Sequence, residues 1–341
     1  MAKFSTLMDV AKLANTTAGT VSYVLNKKEG RYISNEMRQR VIAAAEALHY
    51  VKCTDASTLK KSKQRKLIGI LIPQPANQFF IEILMGCNTI LSNAGYDFII
   101  GYTMDDPQKE LEIVMQMVQK RVDGILLSPT NKGKENTSLL RKIDIKMMVI
   151  DRPLVGLKEY NGIKVSNYSC GYIGAEYLIK HNHRYIGFIG WNSQIADLES
   201  RERGFYAAMK HYGIDHSNCH VLNGEFSPQS GWALTKRMME ENPNTTAIFY
   251  GYNVQALGGI KYLLNTGFRI PEDISVIING KPEWAKAGNN NFTCIDMFPR
   301  TIGENASKTL ISLIEANISL PPIQIVQEGI LIPGNSVQSR I

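Results

Sequence analysis

Two groups of residues in this 341-residue chain have the types and spacing for specific chemistry. The first lies in residues 9–26, DVAKLANTTAGTVSYVLN, where two short apolar patterns meet across the polar turn Asn15-Thr16-Thr17. Val10, Ala11, Leu13 and Ala14 recur as one helical face, and Val21, Val24 and Leu25 as another, with Thr17 placed to cap the second helix. A short second helix presented in this way suits a DNA major groove, although the spacing alone fits a plain helical hairpin in a small bundle equally well. The second group is dispersed: Asn77, Phe79 and Phe80; Asp151 and Arg152; Trp191 with Arg201; Phe226; Tyr252 and Asn253. Each follows an apolar run that reads as a strand. Aromatic faces, amides and an arginine gathered beyond strand ends can stack on and hydrogen-bond a small polar ligand. Taken singly, each of these residues also suits ordinary packing or surface.

The elements that must position these groups follow from periodicity. A third helix is expected from a Ser34 cap to about Leu48, with Met37, Val41, Ala44, Ala45 and Leu48 on one face. Leu7, Val10, Leu13, Val21, Val24, Leu25, Ile33, Val41 and Leu48 would close a small all-α core. From Leu67 the pattern changes. Apolar runs at 67–72, 97–102, 124–127 and 146–150 alternate with helical stretches at 78–93 and 107–120. The alternation continues with helices at 174–180, 201–211, 230–240 and 255–265, and strands at 185–189, 221–222, 247–250 and 275–278. Strands apolar on both faces and separated by helices imply parallel sheets in an α/β body. About ten strands over this length suggest two such sheets in tandem, with ligands bound beyond their carboxyl ends.

Charge divides the chain at the same place. Residues 1–66 hold 13 Lys/Arg against 5 Asp/Glu, while the remainder holds 25 against 26. A folded basic head on a near-neutral body points to a polyanion-binding module joined to a sensing or catalytic domain. Residues 52–66, KCTDASTLKKSKQRK, have too few apolar side chains to fold alone and read as a flexible linker. Leu59 beside Lys60 and Lys61 allows a second reading, an apolar wedge in a minor groove with lysines on phosphates.

Enzymatic signals are thin. Neither GxGxxG after the first strand, GxxxxGK[ST] nor GxSxG occurs. His181 and His183 have no carboxylate or cysteine at a matching spacing and are expected in a surface turn, and the five cysteines form no CxxC pair. No enzyme, cofactor or metal site is expected. Scattered cysteines, no signal-peptide pattern and no apolar run of the ~18 residues a membrane span needs lead us to expect a cytoplasmic protein.

Taken together, the stretches TLMDVAKLANTTAGTVSYVLN, RVIAAAEALHY, LIGILIP followed by NQFF, HRYIGFIG, EFSPQSGW and IPEDISV resemble the LacI/GalR family of bacterial transcription regulators over essentially the whole chain. The resemblance implies an N-terminal all-α helix-turn-helix head (1–51), a hinge (52–66) and an α/β periplasmic-binding-protein-like body (67–341) of two parallel-sheet subdomains. These would comprise about 67–166 plus 299–325, and about 167–298 plus 326–341. It implies a homodimer on a near-palindromic double-stranded DNA operator. Ala18, Gly19 and Tyr23 would face base edges, Thr6, Thr17, Ser22 and Asn26 would serve as phosphate contacts or caps, and Thr20 would be a further DNA-binding residue. Leu59 would open the central base step, with Lys60 in the minor groove. It implies, further, a small-molecule effector, a sugar or sugar phosphate, between the subdomains, held by Asn77, Phe79, Phe80, Asp151, Arg201, Phe226, Tyr252 and Asn253. The chain also departs from the family. Lys52-Cys53 opens the hinge in place of Pro-Asn, and Ala18 and Gly19 offer little hydrogen bonding. Tyr252-Asn253 stands for Asn-Asp, Ser166 for an aspartate, and Asn279-Gly280-Lys281 for an aromatic residue followed by two aspartates. Arg201 with Lys281 would suit an anionic ligand. After Pro321-Pro322 one further strand is expected, without the leucine heptads of tetrameric relatives.

Overall fold

The computed structural model describes residues 6–26, 30, 32–48, 50, 66–75, 77–130, 138, 145–154, 157, 159–192, 199–286, 291–316 and 321–340. Leu59 and Lys60 therefore lie outside the described residues.

Three helices form the head: α1 (Leu7–Leu13), α2 (Ala18–Leu25) and α3 (Asn35–Ala47). Each start is fixed by a hydroxyl. Thr6 and Asp9 form a reciprocal capping box, Thr17 accepts from the Thr20 amide and Ser34 from that of Met37. Val10, Ala11, Ala14, Val21, Val24, Val41, Ala44 and Ala45 are buried together. Leu13, expected in this core, is instead 55% exposed. Ala11 and Ala14 set the buried face, and Leu13 lies about 100° round the helix from Ala14.

The body contains two six-stranded sheets. The first comprises β1 (Leu67–Ile72), β2 (Asp97–Tyr102), β3 (Gly124–Leu127), β4 (Lys146–Ile150), β5 (Gly162–Val165) and β11 (Gln324–Gln327), in the order β11-β5-β4-β3-β1-β2. The second comprises β6 (Ile186–Trp191), β7 (Cys219–Gly224), β8 (Ala247–Tyr250), β9 (Ser275–Asn279), β10 (Thr293–Asp296) and β12 (Ile330–Ile332), in the order β12-β10-β9-β8-β6-β7. All neighbours are parallel except β10 and β12. Helices α4 (Gln78–Asn93), α5 (Pro107–Gln119) and α10 (Pro299–Glu315) pack on the first sheet. Helices α6 (Asn167–Lys180), α7 (Glu199–His211), α8 (Pro228–Glu241) and α9 (Asn253–Asn265) pack on the second.

The chain passes from sheet to sheet at 165–167, 296–299 and 327–330. Where one terminal strand was expected there are two, β11 and β12, because the segment itself crosses between the sheets. Helix α6 begins seven residues earlier than its apolar pattern suggests. Its first turns bury Cys170 and Gly171 against α7, and Gly171 and Gly204 let the two backbones touch. His183 is also not in a surface turn: it is fully buried, bonded to Thr246 Oγ1 (2.8 Å) and the Gln338 carbonyl (3.0 Å). Burial pushes its pKa down to about 4.

Candidate functional site

In both sheets the strand order reverses beside the first strand, between β1 and β3 and between β6 and β8. Chains leaving adjacent strands in opposite directions at such a point open a crevice at their carboxyl ends. Here the two crevices face one another and enclose a cavity of about 570 Å³. Asn77, Phe79 and Phe80 reach it from the turn after β1 and the start of α4, and Asp151 and Arg152 from the turn after β4. Trp191 ends β6, Arg201 lies in the first turn of α7, Phe226 follows β7, and Tyr252 and Asn253 follow β8. The structure thus brings together all eight effector residues named from the sequence, although Phe80 has most of its ring in the core.

Trp191, Phe226 and Tyr252 form a corner of three rings with centroids 5.1, 5.6 and 5.8 Å apart, at steep mutual angles. Phe79 stands edge-on to Phe80 on the opposite wall. Arg201 is buried, and its guanidinium lies 4.5 Å from the centre of the Tyr252 ring. It donates to the Asn167 side-chain oxygen and, at 2.5 Å, to the Gly251 carbonyl. With its amide oxygen towards Arg201, the orientation that satisfies both its atoms, Asn279 accepts from Nε at 3.3 Å and Nη2 at 3.2 Å. Burial raises the Tyr252 hydroxyl pKa against the opposing pull of Arg201, so it is a neutral group here.

Arg152, also buried, pairs with Asp105, which the sequence reading missed although Met104-Asp105-Asp106 follows the carboxyl end of β2. Met104, Asp105 and Asp151 all carry the left-handed backbone that non-glycine residues seldom adopt. Lys281 pairs with Asp296 at 3.0 Å, and Arg300 with Glu304 at 3.7 Å. Glu82, another residue not foreseen, faces Asp296 and Glu283 across the opening. Burial, offset by a hydrogen bond from Gln78 and reinforced by those carboxylates, raises its pKa. Every described cation lining the cavity therefore already holds a carboxylate or a set of carbonyl oxygens. The arrangement can stack a ring and exchange single hydrogen bonds with it. The described thiols, Cys87, Cys170, Cys219 and Cys294, are buried away from the cavity lining, and desolvation pushes them up to about 11 or 12. No group of three metal-ligating side chains occurs among the described residues, and no described helix is long and apolar enough to cross a membrane.

On the head, Val21 and Val24 turn inwards. Thr6, Thr17 and Gly19 are exposed, and Ala18, Thr20, Ser22, Tyr23 and Asn26 partly so. Thr6 and Thr17 spend their hydroxyls as caps, and Asn26 Nδ2 donates to the Ser22 carbonyl (2.6 Å), fixing the end of α2.

Comparison with known proteins matches residues 6–52 to the lacI family of bacterial regulatory proteins and residues 175–337 to a periplasmic binding protein-like domain. The HTH-type transcriptional repressor PurR of Klebsiella pneumoniae (strain 342) is 32% identical over 311 residues, 91% of this chain and 90% of that protein. The repressor PurR of Vibrio vulnificus (strain CMCP6) is 30% identical over 91% of this chain and 92% of its own. Among solved structures, the lac repressor dimer bound to operator and the anti-inducer ONPF superposes with a TM-score of 0.72 at 21% identity, covering 98% of this chain and all of that one. A complex of the transcriptional regulator CelR with cellobiose gives 0.71 at 22%, covering 97% and 99%. The structural matches establish the fold, and the head and full-length matches establish the lineage: this chain belongs to the lacI family of bacterial regulatory proteins, with a helix-turn-helix head and a periplasmic-binding-protein-like body.

Proposed function

We propose that the chain is a cytoplasmic, dimeric repressor of carbohydrate-related genes, whose hold on a near-palindromic operator is set by a neutral, ring-shaped polar effector, a sugar in the first instance. Residues 1–51 would read the DNA, 52–66 would form the hinge, and 67–341 would sense the ligand and dimerise. The observation that carries this reading is the cavity. Its walls are aromatic, its amides are many, and its described cations are already engaged. A sugar phosphate, which the sequence also admits, would have to share Lys281 with Asp296 or Arg152 with Asp105, carboxylates that already offset those charges. A pyranose ring needs neither. A neutral nitrogen heterocycle is the second reading. Asn253 stands where the family resemblance implies an aspartate, and Asn77, Asn253 and Gln78 offer donors and acceptors of the kind a base edge requires.

On the head, Ala18, Gly19, Thr20 and Tyr23 would meet base edges, with Thr6, Thr17, Ser22 and Asn26 at phosphates. Leu59 and Lys60 would enter the minor groove. Ligand can alter operator affinity only through its differential binding to the open and closed arrangements of the two subdomains. Calorimetric titration of the full-length protein with neutral sugars, their phosphates and neutral nitrogen bases tests the reading. Heat from a neutral ring compound, with a matching change in operator affinity, supports it. Saturable binding confined to the phosphates overturns it.

A further inference from the structure

We propose that Asn279 sets the charge specificity of the cleft by filling the fork of Arg201 that would otherwise clasp an anion. This inference rests on the cleft being the effector site. A guanidinium presents two forks to a carboxylate or phosphate, one formed by Nε and Nη2 and one by Nη1 and Nη2. Both require Nη2. Here the two N–H groups of Nη2 go to the side-chain oxygens of Asn167 and Asn279, and Nε also donates to Asn279. Nη1 gives one N–H to the Gly251 carbonyl, so among the described residues four of the five N–H groups are engaged. Arg201, Asn279 and Asn167 are 4%, 2% and 3% exposed, so water does not compete for these bonds. The Tyr252 ring covers one face of the guanidinium.

Asn279 closes β9, at a position where the family resemblance implies an aromatic residue, which would have no acceptor for the fork. An aspartate there would fill the fork and cancel the charge as well. The amide fills it and leaves the charge to three oxygens and a ring. Lys281, two residues further on, is a weak second anchor because Asp296 already offsets its charge. Arg201 is thereby reduced from an anion clamp to a wall that donates one hydrogen bond, as a hydroxyl, carbonyl or ring nitrogen would accept.

The test uses the full-length protein and inorganic phosphate as probe, followed by thermal stability and calorimetry in wild type, Asn279→Ala and Asn279→Asp. Phosphate held by the basic head contributes equally to all three. Asn279→Ala opens the fork and is expected to gain at least roughly tenfold in apparent phosphate affinity, the worth of one charge-assisted hydrogen bond. Asn279→Asp is expected to match wild type. If Asn279→Ala folds poorly, Asn279→Ser, too short to fill the fork, takes its place. A folded Ala or Ser variant with unchanged phosphate response overturns the role of Asn279. Equal gain in the Asp variant overturns it too, since loosening rather than the fork would then be responsible. Phosphate binding in wild type that is abolished by Arg201→Gln would instead overturn the neutral-effector reading itself.

Discussion

Replacing Gly171 by alanine would disturb stability and ligand sensing together, and the size of the effect follows from the α6–α7 crossing. A Cβ at 171 would stand 2.8 Å from the carbonyl carbon of Arg201 and 3.0 Å from the amide nitrogen of Phe205, and nearer still to the Arg201 oxygen. Ordinary contact begins near 3.4 Å; the carbonyl carbon alone would have to retreat by 0.6 Å, and the Arg201 oxygen, the nearest atom, sets a larger displacement still. Overpacking of this kind costs typically about 1–3 kcal/mol, and a rigid backbone on both sides places Gly171→Ala near the upper end. The displacement also falls on the site. Asn167 lies on α6 and Arg201 on α7, so parting the helices pulls directly on their bond. Any movement of Arg201 with its helix also strains its contacts of 3.3 and 3.2 Å to Asn279 on β9, which are already long for hydrogen bonds. Chemical denaturation and titration with whichever neutral ligand binds wild type provide the assay. We expect a loss of about 2–3 kcal/mol and at least roughly tenfold weaker ligand binding. An unchanged denaturation midpoint, or full stability loss with unaltered ligand affinity, would refute the coupling of the crossing to Arg201.

Other outcomes follow from single sites. His183 is neutral when folded with its pKa near 4, against 6.5 when unfolded, so its contribution is whole above pH 6.5 and is lost as pH falls towards 4. Between pH 7 and 5 this amounts to about 2 kcal/mol, and a His183→Gln variant should show a flatter denaturation profile over that interval. Thr17→Ala removes the α2 cap and should cost the head about 1 kcal/mol, read as a lower melting point of residues 1–51 within the full chain. Leu59→Ala should weaken specific operator binding well beyond nonspecific binding; equal losses on both would dismiss the minor-groove wedge.

Much of this architecture was legible in the sequence because the strands of the body are apolar on both faces, a pattern few other arrangements produce. LIGILI at β1 and AIFY at β8 are examples. Besides the second terminal strand, β5 and β10 escaped notice; they are four residues long and include Lys164, Thr293 and Asp296, so neither length nor hydropathy marks them. The cleft was legible for a related reason: parallel strands send their carboxyl ends to one side, so residues far apart in sequence can be pooled without knowing their contacts. What escaped was pairing. Arg152 and Asp105 lie 47 residues apart, and Arg201 reaches Asn167 and Asn279 through a fold that sequence spacing does not encode. The Lys281–Asp296 pair escaped in the same way, because Asp296 comes beside Lys281 only through the pairing of β9 with β10. Leu13 and His183 show the complementary limit. An apolar residue at the margin of a helix face can lie outside the core, and a histidine at a helix end can lie inside it, held by a chain terminus 155 residues away.

The most direct test of the account is selection of bound duplexes from random double-stranded DNA by the purified full-length protein, with and without the neutral ligand found by titration. The account predicts enrichment of one two-fold symmetric site, with half-sites about one helical turn apart and enrichment that changes when ligand is added. Enrichment of no site, or of a lone asymmetric site indifferent to every ligand bound, would contradict it.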